Sequence, residues 1–489
     1  MNELRVLWLP IAVTLLAVLA LLVDVLASPR AQGAGRSPVG GLTIVGLLAI
    51  FVASFFVDAS GLAANGAYES SAWTVFLQRL FLVAGALGSL GALDDVASKT
   101  PRRQGEYWLT LLFSIVGMVI LPGARDLVLL VVSFELMGMP LYILAAYAKT
   151  DAPPAQKGYA SEASLKLYLT GATSTAITLF GLALLTGMAG TTRLANLADA
   201  PLTPLSGVGI AFILAGLGYK IGMVPFHMWV PDTYQGSRAP FVAFLSVAPK
   251  AAGIAALAQI FLYGLGAHRS YWLPALSLLA LLSMAVGNLL ALPQTDTRRL
   301  LGYSGIAQMG YLLVGVASSD TFSLGMVLFF LTAYLFTNLG AFLVLHAVAE
   351  SRDGGFALDG LAGLARRSPG LAAALLCFVL SLAGIPFVVG FWAKLYVLLA
   401  AWRAGLFVLV IAAVVLAVLG LFYYLRILSA AYMKEGDHRA APTPGRPLGF
   451  AIALCLAAVI GLGLWPSPLV ESAGHAASAL VGGGAHASR

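Results

Sequence analysis

Charge is scarce in this chain: of 489 residues only 10% are Asp, Glu, Lys or Arg, against about 25% in an ordinary soluble domain. Cysteine is scarcer still, and the two that occur, Cys377 and Cys455, stand in separate apolar segments with no C-x-x-C spacing. The first shortage excludes a water-soluble fold. The second excludes a disulfide framework and a cysteine-ligated iron–sulfur cluster, so the chain shows no redox centre of its own.

What fills the sequence instead is apolar: 60% of residues are hydrophobic and the mean hydropathy is +0.92. A spanning helix needs about 20 such residues to cross a hydrocarbon layer of ~30 Å. Fourteen runs qualify, near 6–27, 38–57, 74–95, 108–122, 125–147, 162–187, 205–230, 238–265, 271–292, 300–317, 322–348, 369–400, 405–430 and 447–465. The first is too long for the apolar stretch of a signal peptide and leads through Ala27 and Ser28 straight to a second span, so it reads as retained. The fold class is all-α, a polytopic membrane protein of about fourteen transmembrane helices.

The loops set an orientation. The odd-numbered loops carry Arg30, Arg36, Lys99, Arg102, Arg103, Lys149, Lys157, Arg238, Arg298, Arg299, Arg352, Arg366, Arg367, Lys434, Arg439 and Arg446, sixteen in all. The even loops and termini carry six: Arg5, Arg125, Arg193, Arg269, Arg403 and Arg489. The positive-inside rule then makes the odd loops cytoplasmic and both termini extracytoplasmic. Topology thus accounts for the net charge of +7, and no nucleic-acid partner is called for.

Six basic residues remain within spans: Arg79, Lys166, Lys220, Lys250, Lys394 and Arg426. The two arginines lie toward span ends, where they can snorkel. Each lysine costs roughly 2.5–3.5 kcal/mol at a helix centre, and four together approach the whole stability of an ordinary domain. Such a cost is tolerable when the ammonium groups face a wet or partnered bundle interior. There a lysine can gain and lose a proton near neutral pH, because burial disfavours its charged form. Glu135, in "VVSFELMGMPLYIL", is the intramembrane carboxylate that can tune one of them; the plainer reading of the set is a buried ion pair that fixes helix packing.

Two of the lysines stand beside helix breakers. Gly216, Gly218, Gly222 and Pro225 surround Lys220, and Gly384, Pro386 and Gly390 precede Lys394. Proline removes a backbone donor and clashes with the preceding turn, so spans 7 and 12 are expected to be discontinuous. Paired broken helices in two halves point to inverted repeats around a midplane site, with spans 4–8 and 9–13 as the five-helix units. The chain divides accordingly into 1–107, a three-helix segment; 108–265 and 266–432, the repeats; and 433–489, a last helix and tail. The match is imperfect: Lys220 precedes its proline and Lys394 follows its own, and no acid in span 10 answers to Glu135.

The stretches "SFELMGMPLYIL", "SEASLKLYLTGA", "GYKIGMVPFHMWVPDTYQG", "AFLSVAPKAAGIAAL", "DTRRLLGYSGIAQMGYLLVG", "YLFTNLGAF" and "SLAGIPFVVGFWAKLYVL" resemble the antiporter-like membrane subunits of respiratory complex I, the N-type subunit most of all. The resemblance runs from about residue 108 to 430; outside it only the number and hydropathy of the spans agree. It implies that Glu135 and Lys220 are a pair on spans 5 and 7, that Lys250 is the central lysine of span 8, and that Lys394 links to the outlet or the next subunit, with Lys166 associated with the same axis. Many members read GIPPTAGF where this chain reads Gly384-Ile385-Pro386-Phe387-Val388-Val389-Gly390-Phe391, which keeps the first proline. Lysine at 394 matches the N- or L-type subunit, since M-type members commonly have glutamate there, and the short tail after the last span is unlike the long arm of the L-type.

By this resemblance the chain moves protons across a bacterial inner membrane as one subunit of an NADH:quinone oxidoreductase, a translocase, beside other antiporter-like and small membrane subunits. It binds no cofactor itself; NADH, FMN, iron–sulfur clusters and quinone belong elsewhere in the complex. A subunit of a multisubunit Na+/H+ antiporter or membrane-bound hydrogenase shares the core motifs, and a stand-alone solute transporter is the more distant alternative. His227 and Asp232 read as cap or loop anchors, His346 as packing or a proton relay, Tyr303, Tyr311, Tyr334 and Tyr424 as packing or interfacial anchors, and Asn288, Gln308, Thr337 and Asn338 as packing or water-holding groups.

Overall fold

The computed structural model describes residues 2–27, 37–147, 154–199, 201, 203–351, 355–436 and 440–487. Arg30, Arg36, Lys149, Arg352, Arg439 and Arg489 of the loop count lie outside them. The chain begins with α1 (Asn2–Val6), α2 (Trp8–Ala27), α3 (Pro38–Ala53) and α4 (Ala72–Lys99), with a hairpin of β1 (Gly61–Ala63) and β2 (Tyr68–Ser70) before α4. Then come α5 (Gln104–Ile120), α6 (Leu127–Ala146), α7 (Pro154–Ala189), α8 (Pro204–Ile221), α9 (Trp229–Gly236), α10 (Ala239–Leu245) and α11 (Ala248–Ala258). The second half holds α12 (Arg269–Ala291), α13 (Thr297–Ser318), α14 (Thr321–Ala349), α15 (Leu364–Arg367), α16 (Pro369–Ala383), α17 (Val389–Arg403) and α18 (Phe407–Tyr432), followed by α19 (Arg446–Leu464) and α20 (Ser467–Ala487). Among the described residues twelve helical stretches are long and apolar enough to span, and Pro38–Ala53 and Pro369–Ala383 are shorter apolar helices.

The helices start where polar side chains satisfy their free N–H groups. Thr203 and Ser206 form a capping box on α8, and Asp320 and Ser323 form another on α14. Asp126 caps α6, and Asp296 caps α13. These two aspartates also share a backbone arrangement. Leu127 donates to Thr192 at 2.9 Å while Leu194 donates to Arg125 at 3.0 Å; Thr297 donates to Phe356 at 2.6 Å while Leu358 donates to Thr295 at 2.8 Å. Each aspartate thus forms an antiparallel bridge, Asp126 with Arg193 and Asp296 with Ala357, and each bridge ties the start of one helix to the loop after the next.

Spans 7 and 12 are broken as their glycines and prolines predict. Helix α8 ends at Gly222 (φ 79, ψ 35) and α16 at Gly384 (φ 82, ψ 35), both left-handed. The cap bonds are the same: Gly222 donates to Gly218 and Tyr219, and Met223 to Gly218; Gly384 donates to Leu380 and Ser381, and Ile385 to Leu380. This is the Schellman termination that glycine permits without a Cβ penalty.

Span 8, expected to be continuous, is interrupted as well. Helix α10 stops at Leu245 and α11 begins at Ala248, because Pro249 has no N–H for the Leu245 carbonyl and its ring crowds that group. The tail beyond 465, expected only as a short extension, is the helix α20. Its Gly474 backbone lies within 3.1 Å of where a β-carbon on Gly325 of α14 would stand, so two glycines let the helices touch.

Candidate functional site

Glu135, near the middle of α6, meets Lys220 in the last turn of α8. The Lys220 ammonium lies 3.2 Å from Glu135 Oε1 and 3.4 Å from the Tyr142 hydroxyl, with the Phe134 ring centroid at 5.8 Å. Thr175 of α7 donates to the same Glu135 oxygen at 2.7 Å. Gly138 leaves the space, since a β-carbon there would stand 3.1 Å from the ammonium. A small cavity of about 10 Å³ lies among Glu135, Thr175, Thr178 and Lys220, enough for about one water centre.

Lys250 is fully buried on α11. Its ammonium sits 5.5 Å from the Tyr234 ring centroid and makes no hydrogen bond with any described residue, and neither do the buried hydroxyls of Tyr234 and Tyr334. A β-carbon on Gly305 would stand 3.0 Å from both Lys250 Nζ and Tyr334 Oη, so this lysine and tyrosine face one point on α13. Gly305 lies nine residues after Asp296 as Glu135 lies nine after Asp126. The acid missing from span 10 is thus replaced by open backbone, and Lys250 occupies the room.

Lys394 belongs to α17, beyond the break, but its side chain points back along the helix onto the end of α16. It donates to the carbonyl of Leu382 at 2.7 Å and of Ala383 at 3.3 Å, and its ammonium is 4.9 Å from the Tyr311 ring centroid. Gln308 donates to the same Leu382 carbonyl at 2.9 Å and to the Tyr424 hydroxyl at 3.1 Å, while Thr337 and Ser381 share a hydrogen bond of 2.8 Å. A cavity of about 10 Å³ is lined by Gln308, Tyr334, Thr337, Ser381 and Lys394. Tyr334 therefore borders both the Lys250 and the Lys394 environments.

Lys166 is placed otherwise. It is two-fifths exposed and pairs with Asp232 and Glu162, each at 2.6 Å. Asp232 also receives Arg299 at 2.6 Å, so it ties α9 to α7 and α13, the anchoring role read for it from the sequence. Lys166 thus stands outside the buried set, and the burial argument does not extend to it. Arg79 stacks on Phe55 and bonds Ser54, and Arg426 bonds the Leu292 carbonyl. Thr175 and Tyr142 were not singled out in the sequence; their spacing from Glu135 on or beside apolar helices gives no signal without the fold. Among the described residues Asp95, His346 and Glu350 are near enough to hold a cation, but Lys99 bonds both carboxylates and Arg238 bonds Asp95, so the cluster already has its cations.

A family model described as NADH:quinone oxidoreductase/Mrp antiporter, TM, matches residues 124–420. The chain belongs to this antiporter-like membrane family. Within it, the NADH-quinone oxidoreductase subunit N of Heliobacterium modesticaldum is 38% identical over 445 residues, 89% of this chain and 92% of that one. The subunit N of Chloroflexus aggregans is 36% identical over 96% of both chains, so the likeness reaches into the N-terminal segment. A chain from respiratory complex I of Thermus thermophilus with bound aureothin superposes with a TM-score of 0.80 at 29% identity, over 95% of this chain and 98% of that one. A chain of the Mrp complex from Dietzia sp. reaches 0.87 at 22% identity over 99% of each, a likeness of fold.

Proposed function

We propose that this chain is the N-type, proton-translocating subunit of a bacterial NADH:quinone oxidoreductase, lying in the inner membrane beside the complex's other membrane subunits, and that protons move through it along Glu135, Lys220, Lys250 and Lys394. The observation that carries the reading is the repetition of one device: a half-helix closed by a left-handed glycine, with a lysine ammonium held beside the break. The twin bridges at Asp126 and Asp296 and the paired breaks support two inverted five-helix repeats, and the two short apolar helices beside the twelve candidate spans support a count of fourteen.

The chemistry follows from what each lysine touches. Lys220 has its charge countered while the Glu135 carboxylate is near, and uncovered when the pair separates. Lys250, which meets no counter-ion among the described residues, takes a proton when charge is pushed toward it and passes it on. Lys394, resting on carbonyl dipoles, is the last carrier in the chain. Redox energy released in other subunits would enter as a change in the Glu135–Lys220 separation. Lys166 keeps α9 in register through Asp232.

The test is to isolate the chain with its native partners, reconstitute the assembly and follow NADH-driven proton uptake beside quinone reduction. Co-purifying flavoprotein and iron–sulfur subunits are expected, and Lys250→Ala should lower proton uptake per electron in an assembled complex. Isolation with cation/proton antiporter subunits alone, or uptake unchanged by Lys250→Ala, would overturn the reading.

A further inference from the structure

The first half of the molecule is tied to α14 by a part-buried ionic cluster that the lysine axis does not use. Asp95, near the end of α4 and 3% exposed, accepts from Arg238 at 3.1 Å and from Lys99 at 2.8 Å. Lys99 bonds Glu350 too, and the His346 Nε2 lies 3.8 Å from the other oxygen of Glu350. Glu350 is about one-third exposed while His346 is buried, so the cluster has an outer carboxylate and an inner imidazole.

What makes this more than a helix clamp is its alignment with Lys250. Along α14, Tyr334, Asn338 and His346 recur at intervals of four and eight residues, which places them on one face. Along α10 and α11 the chain brings Arg238, Ser246 and Lys250 at matching intervals in the reverse sense. The two columns meet in three rungs. Tyr334 and Lys250 face the same point at Gly305. Asn338 donates to Ser246 Oγ at 2.8 Å. His346 and Arg238 meet at Asp95, with Glu350 beside the imidazole. Ser246 lies where α10 has stopped, and the fully buried Asn338 Oδ1 has no partner among the described residues, so the middle rung offers an acceptor that buried polar groups do not leave unused. Phe342, between Asn338 and His346, is the apolar step and packs edge-on to Tyr234 at 5.6 Å.

We infer that this ladder is the route by which Lys250 exchanges protons with the face that carries the basic loops, and that Glu350 and His346 form its entry. The inference rests on the proton-translocating reading above. A proton from bulk water binds the Glu350 carboxylate and passes to the His346 imidazole. It leaves that ring for water held by Asn338 Oδ1 and Ser246 Oγ, and ends on the Lys250 amine, each donor recovering its proton from the group before it. The charged neighbours of His346 are Asp95, Lys99, Arg238 and Glu350: two acids and two bases, which let the imidazole change charge without leaving a large net charge buried. The N-terminal three-helix segment, through Asp95 and Lys99, then holds the entry of the proton path in place.

The experiment compares reconstituted complexes carrying Lys250→Ala, His346→Gln, Asn338→Leu and Glu350→Gln, measuring proton uptake per electron as external pH rises on the entry side. His346→Gln and Asn338→Leu should lower uptake as far as Lys250→Ala does, and Glu350→Gln, at an exposed position that folding tolerates, should lose uptake at a lower pH than the wild type. If Lys250→Ala lowers uptake while His346→Gln and Glu350→Gln keep both the wild-type ratio and its pH profile, the ladder is a packing device. If Lys250→Ala changes nothing, the reading beneath it falls instead.

Discussion

Lys394 donates to the carbonyl of Leu382, 2.7 Å away and two residues before the left-handed glycine that closes α16. The ammonium thus rests on the negative pole of a half-helix, where Lys220 rests on a carboxylate. The difference matters for a proton carrier. Removing the Lys220 charge would leave the part-buried Glu135 anion without its partner, which is costly. Removing the Lys394 charge would leave only neutral carbonyl dipoles behind.

Lys394→Gln should keep a donor for the Leu382 carbonyl and therefore keep the break, while Lys394→Ala also removes a cap worth up to about 2 kcal/mol. Both should lower proton uptake per electron, and Lys394→Ala alone should lower the thermal midpoint of the complex. Equal stability of the two variants would mean that the carbonyl contact is idle.

The glycine caps give a second test. An L-residue in the left-handed region costs roughly 1–2 kcal/mol. Gly405→Ala incurs that cost alone, for at φ 78 it has nothing within 4 Å of a β-carbon. Gly384→Ala would also press on Lys394 Cδ at 2.9 Å, and Gly222→Ala on Val230 Cγ2 at 2.8 Å. All three should lower the unfolding midpoint, but Gly384→Ala should lose proton uptake well beyond Gly405→Ala. Matching losses in both would show that the cap serves only the fold.

Much of this was legible in the sequence because the breakers announce themselves. Gly222, Pro225, Gly384 and Pro386 sit in long apolar runs where no other cause for them exists, and a lysine beside each marks the interior. The interruption at Ser246 was not legible, although Pro249 causes it, since proline in the first turn of a helix is ordinary and nothing in "AFLSVAPKAAG" shows that two helices meet there. Lys166 reads like the other lysines in composition, yet its partners Glu162 and Asp232 come from its own helix and from α9, and only the fold brings Asp232 near. The ion pairs of Asp95 were hidden for the same reason: Arg238 lies far along the chain.

The loop charges predict an orientation that a reporter can read. With sixteen basic residues in the odd loops and six elsewhere, both termini and the 266–270 turn should be extracytoplasmic and the 434–446 loop cytoplasmic. Single cysteines introduced at Ser270 and Ala441 should be labelled by an impermeant maleimide from opposite sides of the membrane. Labelling of Ala441→Cys from outside in intact cells would contradict the arrangement.

The Glu135–Lys220 pair supplies the last prediction. Glu135→Gln removes the charge but leaves an amide that Thr175 and Lys220 can still reach, so the complex should assemble; the stranded ammonium then loses its ion partner and with it the means by which separation changes proton affinity. Lys220→Arg tests the other half, keeping a cation beside Glu135 but placing there a group that does not release its proton in this range. Sterically the arginine has little room, because Gly138 and Tyr142 crowd the ammonium, so assembly has to be checked by the yield and thermal midpoint of the complex. Both variants should reduce quinone at a slowed rate with proton uptake per electron reduced further. Full uptake by Lys220→Arg in an assembled complex would show that this lysine is a fixed charge, and the pair a clamp between α6 and α8.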